Sequence, residues 1–352
     1  MELLPVAARW DPYAPHDNPQ KRRLLISSFV PLHTENQTCL YGEETIPYMP
    51  SKTTQVFGAQ AVAMGLPRTI FQDFTMKVCK LPDEKALNSD TYLSPFPVVI
   101  FSPGRGVTRL MYSAMAMTLA SHGYIVMTVD HAYDAAVIEF PDGSSVTGVI
   151  GEGTPAELEK SVEVRQEDIA FILNQLERVT TAEALTSYRK VDRIVVFGHS
   201  IGGATAVSSL FADDRVAGAV NLDGDMLGPV VADGVDKPLF LVEKPHSRDQ
   251  GPSWNQTWGN SHGPGLMMEI NGTTHQSFLD LPLLVALEGI PDASKPIVEA
   301  AIGTIDGRLM ATIMSRLFAA VLEFVLGGGE DQLCQASNRP EIKILEAKGV
   351  CL

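Results

Sequence analysis

The chain has 352 residues, of which 45% are hydrophobic and 20% are charged, a balance typical of a globular protein with a sizeable core. Its net charge of −15 argues against nucleic acid and strongly anionic membrane surfaces as partners. No apolar run is long enough to span a bilayer, and Met1 to Pro5 have neither the basic nor the apolar region of a signal peptide.

The first 150 residues predict an arm followed by strands that alternate with helices. Residues 1–23 are polar and interrupted by prolines, as expected of an arm that leads into a sheet. The continuous apolar run at 97–102 is typical of a strand buried inside a parallel sheet. The other strands expected in this part are 24–31, 71–78 and 124–130. The helices expected between them are 54–64 and 109–121.

The rest of the chain continues this alternation. A helix begins at Thr154-Pro155, where proline and an acidic first turn favour a helix N-terminus. The strands expected after it are 193–197, 215–222, 237–243 and 265–270. Further helices are expected at 204–211, 295–304 and 308–326, and the tail from Glu330 is polar. Strands that alternate with helices indicate an α/β fold, a mostly parallel central sheet with helices on both faces.

No break in composition separates two domains, so we expect a single α/β domain over residues 1–352. Three segments look irregular, and they are 131–153, 244–264 and 276–296. Each lies after a predicted strand, at the edge where the site of a parallel sheet is expected. These segments could therefore form a lid or the wall of a pocket.

The sequence Gly198-His-Ser200-Ile-Gly202 is the strongest functional motif in the chain. A β-branched run precedes it and a small-residue, helix-prone run follows it, which is the strand–turn–helix context of a nucleophile elbow. Glycines on both sides make the strained backbone of such a turn sterically possible. The motif therefore predicts Ser200 as a catalytic nucleophile at the carboxyl edge of the sheet.

A serine nucleophile needs a general base, and the base needs a carboxylate that orients it. Asp223 ends the first strand after the elbow, and Asp225, two residues further, is its competitor. Three later histidines satisfy the order serine, acid, base, and they are His246, His262 and His275. Only His275 follows the last predicted strand, so we expect Asp223 as the acid and His275 as the base.

The oxyanion of a tetrahedral intermediate needs two N–H donors. Ile201, directly after the nucleophile, is expected to supply one, and Arg105 in the loop 103–106 the other, since Pro103 has no N–H. The guanidinium of Arg105 is also a candidate for binding an anionic substrate group. His131 and His199 are expected to shape the site, with His199 contributing to substrate binding.

Two of the four cysteines lie early in the chain and two lie late, which favours disulfides Cys39–Cys79 and Cys334–Cys351, although free thiols are the alternative. Three Asn-x-Ser/Thr sequons, at Asn36, Asn255 and Asn271, agree with the disulfides in favouring a secreted protein. A cytoplasmic enzyme is the alternative.

The chain contains motifs that resemble those of a known family. Three of them are similar to the catalytic blocks of that family, and they are Gly198-His-Ser-Ile-Gly-Gly203, Asn221-Leu-Asp223 and Thr274-His275-Gln-Ser-Phe278. Further similar motifs are Asp11-Pro-Tyr with Arg22-Arg23, Pro47-Tyr-Met-Pro50 and Ser121-His-Gly-Tyr124. The family is the platelet-activating-factor acetylhydrolase (plasma, isoform II) group of α/β-hydrolases, particularly its fungal secreted members, and the likeness runs from about residue 10 to 326. The resemblance implies the α/β-hydrolase fold, the triad Ser200, Asp223 and His275, and oxyanion donors Arg105 and Ile201.

One motif departs from the family. Ser102-Pro103-Gly104 stands where such enzymes often have Ser-His-Gly, and Pro-Gly at this place also resembles cutinase-like polyesterases. We therefore expect a metal-free and cofactor-free serine hydrolase that cleaves carboxylic esters through an acyl-enzyme, first of all acetylated or short-chain lipid esters. A polyester or a lactone of secondary metabolism is the alternative substrate, and a non-catalytic hydrolase-fold binding protein is the alternative of another class. The oligomeric state is left open.

Overall fold

The apolar runs of the chain assemble into a central sheet. A computed structural model describes residues 2–3, 9–31, 39, 41–81, 95–149, 151, 153–178, 185–186, 191–246 and 252–351. The strands of this described part are β1 Glu2–Leu3, β2 Leu24–Phe29, β3 Glu43–Pro47, β4 Thr75–Cys79, β5 Phe96–Ser102, β6 Ile125–His131, β7 Val137–Glu139, β8 Ser145–Thr147, β9 Val191–His199, β10 Val216–Leu222, β11 Leu239–Glu243, β12 Gly265–Ile270 and β13 Ile342–Lys348.

The central sheet has nine strands in the order β1-β2-β6-β5-β9-β10-β11-β12-β13. The strands from β6 to β12 in this order run parallel, whereas β1, β2 and β13 pair antiparallel at the two edges. The carboxyl ends of β5, β9, β10 and β12 therefore meet at one edge of the sheet. Strands from both ends of the chain join this sheet, which supports the predicted single domain.

Helices cover both faces of the sheet, as the alternation of elements predicts. The helices of the described residues are α1 Ser51–Ala61, α2 Ser113–Ser121, α3 Pro155–Leu176, α4 Ile201–Ala212, α5 Val230–Asp233, α6 Ser253–Asn260, α7 Leu281–Glu288, α8 Lys295–Ile302, α9 Gly307–Val325 and α10 Asp331–Ser337. Buried side chains of α3, α4 and α6 pack on one face, and those of α2, α7 and α9 pack on the other. In the described part, none of the helices combines the length and apolar character that crossing a membrane requires.

The three segments predicted to be irregular each contain short strands or a helix between irregular stretches, so the expectation of irregular structure is wrong for those elements. The segment 131–153 holds the hairpin of β7 and β8, although residues 150 and 152 lie outside the described part. The segment 244–264 holds α6, with residues 247–251 outside the described part, and 276–296 holds α7. These strands and helices are short, so the sequence shows too few repeats of strand or helix periodicity to reveal them.

Sequence reasoning also missed β3, α10 and β13, which are short or polar. The strand expected at 71–78 is found as the shorter β4, which pairs antiparallel with β3 in a separate two-stranded sheet. The polar tail from Glu330 forms α10 and then β13, which pairs with β12. A polar strand is consistent with a sheet edge, where one side of the strand has no strand neighbour.

The predicted disulfides are confirmed. Cys39 pairs with Cys79 at the end of β4, with the two Cα atoms 5.2 Å apart. Cys334 in α10 pairs with Cys351, with the two Cα atoms 5.3 Å apart. Among the sequons, Asn36 lies outside the described residues, whereas Asn255 and Asn271 are exposed.

Candidate active site

Ser200 occupies a tight turn between β9 and α4. Its φ of 57° and ψ of −129° are unusual for a residue with a Cβ atom, and such strain is typical of functional turns. A methyl group on Gly198 would lie 2.0 Å from the carbonyl oxygen of Gly202, and one on Gly202 would lie 2.0 Å from that of Ser102. The turn therefore requires both glycines of the motif, and it presents Ser200 half-buried at the N-terminus of α4.

Two backbone N–H groups beside Ser200 are available to an oxyanion. The N–H groups of Gly203 and Ala204 donate to the Ser200 carbonyl, and that of Gly104 donates to Tyr112 Oη. Among the described residues, the N–H groups of Ile201 and Arg105 have no protein acceptor. The loop that carries Arg105 is close, since a methyl group on Gly104 would lie 3.5 Å from the Cβ of Ser200.

The structure brings Asp223 and His275 together. Asp223 follows β10 and His275 follows β12, and His275 Nδ1 lies 2.6 Å from Asp223 Oδ2. Because a carboxylate only accepts, Nδ1–H is the donor, which leaves Nε2 as the basic nitrogen. The side chains of the other candidates, Asp225, His246 and His262, are exposed.

The carboxylate of Asp223 is charged despite its burial. Its side chain has no exposed surface, and this burial raises its pKa. The hydrogen bond and charge of His275, together with the nearby charge of Lys244, outweigh the burial and hold the pKa of Asp223 below its usual value. Lys244 Nζ lies 3.4 Å from the same oxygen, and the Lys244 N–H donates to Oδ1 at 3.2 Å. Sequence reasoning missed Lys244, although it directly follows β11, one strand away from the acid.

Arg105 and His199 both make internal contacts. The guanidinium of Arg105 donates to the carbonyl of Gly151 at 2.7 Å. His199 is 1% exposed, and both of its ring nitrogens are hydrogen-bonded within the protein. His199 has no ring nitrogen left for a substrate, so its geometry favours a supporting role, whereas the guanidinium of Arg105 has further N–H donors. The predicted substrate-binding roles of both residues stay predictions.

A second serine–histidine–aspartate arrangement lies beneath the site. Ser102 Oγ is 3.0 Å from His131 Nε2, and His131 Nδ1 is 2.8 Å from Asp168 Oδ2. All three side chains are almost completely buried, and Arg22 binds Asp168 with two further hydrogen bonds from Nε and one from Nη2. The exposed fraction separates the two arrangements, because His275 has 38% of its side chain exposed and His131 has 1%. Only the first arrangement is open to a substrate.

The buried arrangement supports the loop that carries Arg105. Arg165 binds the carboxylate of Asp134 and also donates to Ser102 Oγ and to the carbonyl of Pro103. His131 therefore does lie under the site, as expected of a residue that shapes it. Burial is the largest cause of the lowered pKa of His131, so the ring is neutral and accepts from Ser102.

A small, mostly apolar cavity of about 60 Å³, partly open to solvent, lies beside the site. Its walls include Phe278, three residues after His275, and Leu222, directly before Asp223. The remaining wall comes from α2, α7 and α9 and is rich in methionine and phenylalanine, with Met115, Met310, Met314 and Phe318. Such a surface accommodates apolar groups of varied shape.

Within the described residues, no group of three or more His, Cys, Asp or Glu side chains is arranged to hold a metal ion.

The chain is similar to known esterases and acetylhydrolases. The sequence model of the family "Platelet-activating factor acetylhydrolase, isoform II" matches residues 48–323. A probable 1-alkyl-2-acetylglycerophosphocholine esterase of Arthroderma benhamiae is 28% identical, over 92% of this chain and 86% of that protein. A platelet-activating factor acetylhydrolase of Bos taurus is 31% identical, over 53% of this chain and 48% of that protein. The match thus spans about half the length of the bovine relative.

A solved structure shares the fold. A ferulic acid esterase from Streptomyces cinnamoneus superposes with a TM-score of 0.74 and 25% identity, over 98% of this chain and 95% of that chain. The similarity covers the central sheet and its helices, and the predicted α/β-hydrolase fold is confirmed.

Proposed function

The chain belongs to the platelet-activating factor acetylhydrolase, isoform II, family and is a carboxylic ester hydrolase, and we propose that Ser200, Asp223 and His275 are its catalytic triad. The observation that carries this proposal is the 2.6 Å contact between His275 Nδ1 and Asp223 Oδ2, at the edge of the sheet where the strained turn presents Ser200. The exposure of His275 supports it, since a base must reach the solvent-facing substrate.

The mechanism follows from these groups. His275 Nε2 removes the proton from Ser200 Oγ as the oxygen attacks the ester carbonyl, and Asp223 stabilises the imidazolium that forms. The carbonyl electrons move to oxygen, where the N–H groups of Ile201 and Arg105 and the N-terminus of α4 stabilise the negative charge. The alkoxide leaves with the proton from His275. Water then attacks the acyl-enzyme in the same way and releases the acid.

For the substrate, we propose acetylated or short-chain lipid-like esters. The names of the fungal and bovine relatives support an acetyl ester of a glycerophospholipid. The apolar cavity between α2, α7 and α9 supports an apolar group near the site. The structural similarity to a ferulic acid esterase favours an aromatic carboxylic ester as the second candidate.

We also propose that the protein is secreted. The disulfides Cys39–Cys79 and Cys334–Cys351 support an oxidising compartment, because such bonds rarely persist in the cytosol. The exposed sequons at Asn255 and Asn271 are consistent with this location.

The triad is tested by substitution. Ser200→Ala should abolish both ester hydrolysis and labelling by a fluorophosphonate, while circular dichroism and thermal unfolding stay as in the unmodified protein. Asp223→Asn should lower kcat by about four orders of magnitude, because the imidazole then adopts the wrong tautomer. Asp225→Asn is the matched control, since its exposed carboxylate lies two residues away, and it should retain kcat. Ester hydrolysis by Ser200→Ala at the normal rate would refute the mechanism.

The substrate class is tested with the unmodified enzyme. A series of p-nitrophenyl esters of increasing acyl length is compared with a 2-acetyl phospholipid and with an ethyl ester of ferulic acid. We expect the highest kcat/KM on acetyl and other short acyl groups. A preference for the ferulate ester would replace the lipid-like substrate with the aromatic one, and fast release of products from a polyester film would favour a polyesterase.

A further inference from the structure

A chain of three hydrogen bonds joins the oxyanion loop to the backbone of the proposed catalytic base. The N–H of Gly104 lies 3.0 Å from Tyr112 Oη, which lies 2.9 Å from His199 Nδ1. His199 Nε2 then lies 2.9 Å from the carbonyl oxygen of His275. Gly104 directly precedes Arg105, so the chain connects one proposed oxyanion donor to the residue that carries the general base.

Each hydrogen bond in this chain has only one possible direction. The His275 carbonyl only accepts, so His199 Nε2–H must donate to it. Burial, with the charge of His275 as a smaller cause, lowers the pKa of His199 to about 3, so the ring is neutral and its Nδ1 carries no proton. The Tyr112 hydroxyl must therefore donate to Nδ1, and its oxygen accepts from the Gly104 N–H.

Tyr112 is itself fixed in place. Its ring is 1% exposed and packs against Phe101, with the ring centroids 4.3 Å apart. The backbone on both sides of it is held by Asp280, five residues after His275. The Asp280 N–H donates to the carbonyl of Met111 at 2.7 Å, and its carboxylate accepts from the N–H of Ala114 at 2.9 Å. Two hydrogen bonds, one from the backbone of Asp280 and one to its side chain, thus join the start of α2 to the segment after His275.

We propose that Tyr112 and His199 are positioning residues that set the distance between the oxyanion loop and His275. This inference rests on the proposed function, since it assigns a role within the same site. During attack, negative charge develops at the oxyanion while positive charge develops on the imidazole. A displacement of either group weakens stabilisation of the transition state, and misplacements of about 1 Å can cost about a hundredfold in rate. Neither residue touches the reacting atoms, so the effect falls on kcat and not on substrate binding.

The test is a double-mutant cycle with Tyr112→Phe, His199→Leu and the double variant, assayed on p-nitrophenyl acetate. We expect each single variant to lower kcat by about ten- to a hundredfold with KM within about twofold. Because both changes break the same chain, the double variant should be no slower than the slower single variant. Ser337→Ala is the control, since it removes a different buried hydroxyl, which donates to the Leu333 carbonyl at 2.8 Å in α10. We expect Ser337→Ala to retain kcat even if it lowers the melting temperature as much as Tyr112→Phe does.

The results that would refute the positioning role of Tyr112 and His199 differ from those that would refute the proposed function. If the unmodified enzyme hydrolyses the ester and Ser200 is labelled by a fluorophosphonate, but Tyr112→Phe keeps kcat within about twofold, the positioning role is refuted and the function stands. Losses in the double variant equal to the product of the single losses would also refute it. An unmodified enzyme that neither reacts nor labels would overturn the function and this inference together.

A measurement on the unmodified enzyme applies even if the variants do not fold. Nitrogen-15 NMR of histidine-labelled protein distinguishes the two neutral imidazole tautomers. We expect His199 to be the Nε2–H tautomer and to stay neutral from about pH 8 to about pH 5. A proton on Nδ1 would refute the proposed chain, because Nε2 could then not donate to the His275 carbonyl.

Discussion

At the scale of single residues, one oxygen of Asp223 has two nitrogen partners, the imidazole of His275 and the ammonium group of Lys244. His275 Nδ1 lies 2.6 Å and Lys244 Nζ lies 3.4 Å from Asp223 Oδ2, so the two nitrogens lie within about 6 Å of each other. The charge of Lys244 helps to hold the pKa of Asp223 below its usual value. The position of Lys244 therefore bears on the pH at which Asp223 loses its charge.

We predict that Lys244→Met moves the loss of activity on acidification to higher pH. Without the ammonium group, one of the causes that lower the pKa of Asp223 is gone, so Asp223 is protonated, and His275 loses its orienting carboxylate, at a higher pH. Initial rates of p-nitrophenyl acetate hydrolysis across the acidic range measure this shift.

Lys237→Met is the matched control, because Lys237 precedes β11 at the opposite edge of the sheet, where its Nζ bonds the Asp213 carbonyl at 3.1 Å. It removes the same charge far from Asp223, so its pH profile should coincide with that of the unmodified enzyme. Equal shifts in both variants would attribute the effect to net charge instead of the contact with Asp223.

At the scale of elements, the end of the chain is fastened to the strand that precedes His275. β13 pairs with β12 from Gly265↔Lys348 to Ile270↔Ile342, and the Asn271 N–H donates to the Glu341 carbonyl at 2.8 Å. Only one side of β13 has a strand partner among the described strands. The Cys334–Cys351 disulfide joins α10 to the residues just after β13 and thereby closes the segment that contains it.

We predict that Cys334→Ser with Cys351→Ser lowers the free energy of unfolding by about 3 kcal/mol, as expected for closure of a loop of this length. Urea denaturation gives the free energy, and hydrogen exchange should show faster exchange at the amides of β13. Activity at low temperature should be retained, because β12 keeps its other neighbour, β11.

The double variant Cys39→Ser with Cys79→Ser is the comparison. It removes the covalent link at the separate sheet of β3 and β4, so it should leave exchange at β13 unchanged. Faster exchange at β13 in this second variant would contradict a local action of the Cys334–Cys351 disulfide.

At the scale of the whole molecule, a single buried carboxylate connects distant parts of the chain. Asp280 accepts from the Tyr48 hydroxyl at 2.9 Å and from the Ala114 N–H at 2.9 Å. It thus links the residues after β3, the start of α2 and the start of α7. Burial raises the pKa of Asp280 to about 7, in spite of these hydrogen bonds.

This raised pKa predicts how stability depends on pH. Between the ordinary pKa of an aspartate and about 7, the folded state binds a proton at Asp280 that the unfolded state has released. The contribution to stability is therefore full at low pH and is lost as pH rises through this window, by about 4 kcal/mol in total. The amide side chain introduced by Asp280→Asn does not titrate in this range, so the stability of that variant should not fall in this way as pH rises.

The measurement is urea denaturation of both proteins at about pH 4 and about pH 8. The unmodified protein should lose stability relative to Asp280→Asn by a few kcal/mol between the two conditions. Asp225→Asn, at an exposed position, should follow the unmodified protein. A difference between the unmodified protein and Asp280→Asn that is independent of pH would contradict a raised pKa at Asp280.

The sequence by itself determined those features that depend on neighbouring residues or on chain order. The glycines around Ser200 indicated the turn, the alternation of apolar runs indicated a parallel sheet with helices on both faces, and the early and late cysteines indicated the disulfide pairs. The order serine, aspartate, histidine singled out Asp223 and His275 because the carboxyl ends of parallel strands meet at one edge of the sheet.

Only the tertiary structure decided which chemically similar groups are open to substrate. Ser102, His131 and Asp168 have the same residue types as the proposed triad, and burial alone separates them from Ser200, Asp223 and His275. The contact of Lys244 with Asp223 and the hydrogen-bonded chain through Tyr112 also join residues that are far apart in the sequence. Such contacts depend on how strands and helices pack against one another, and a local sequence pattern carries no information about that packing.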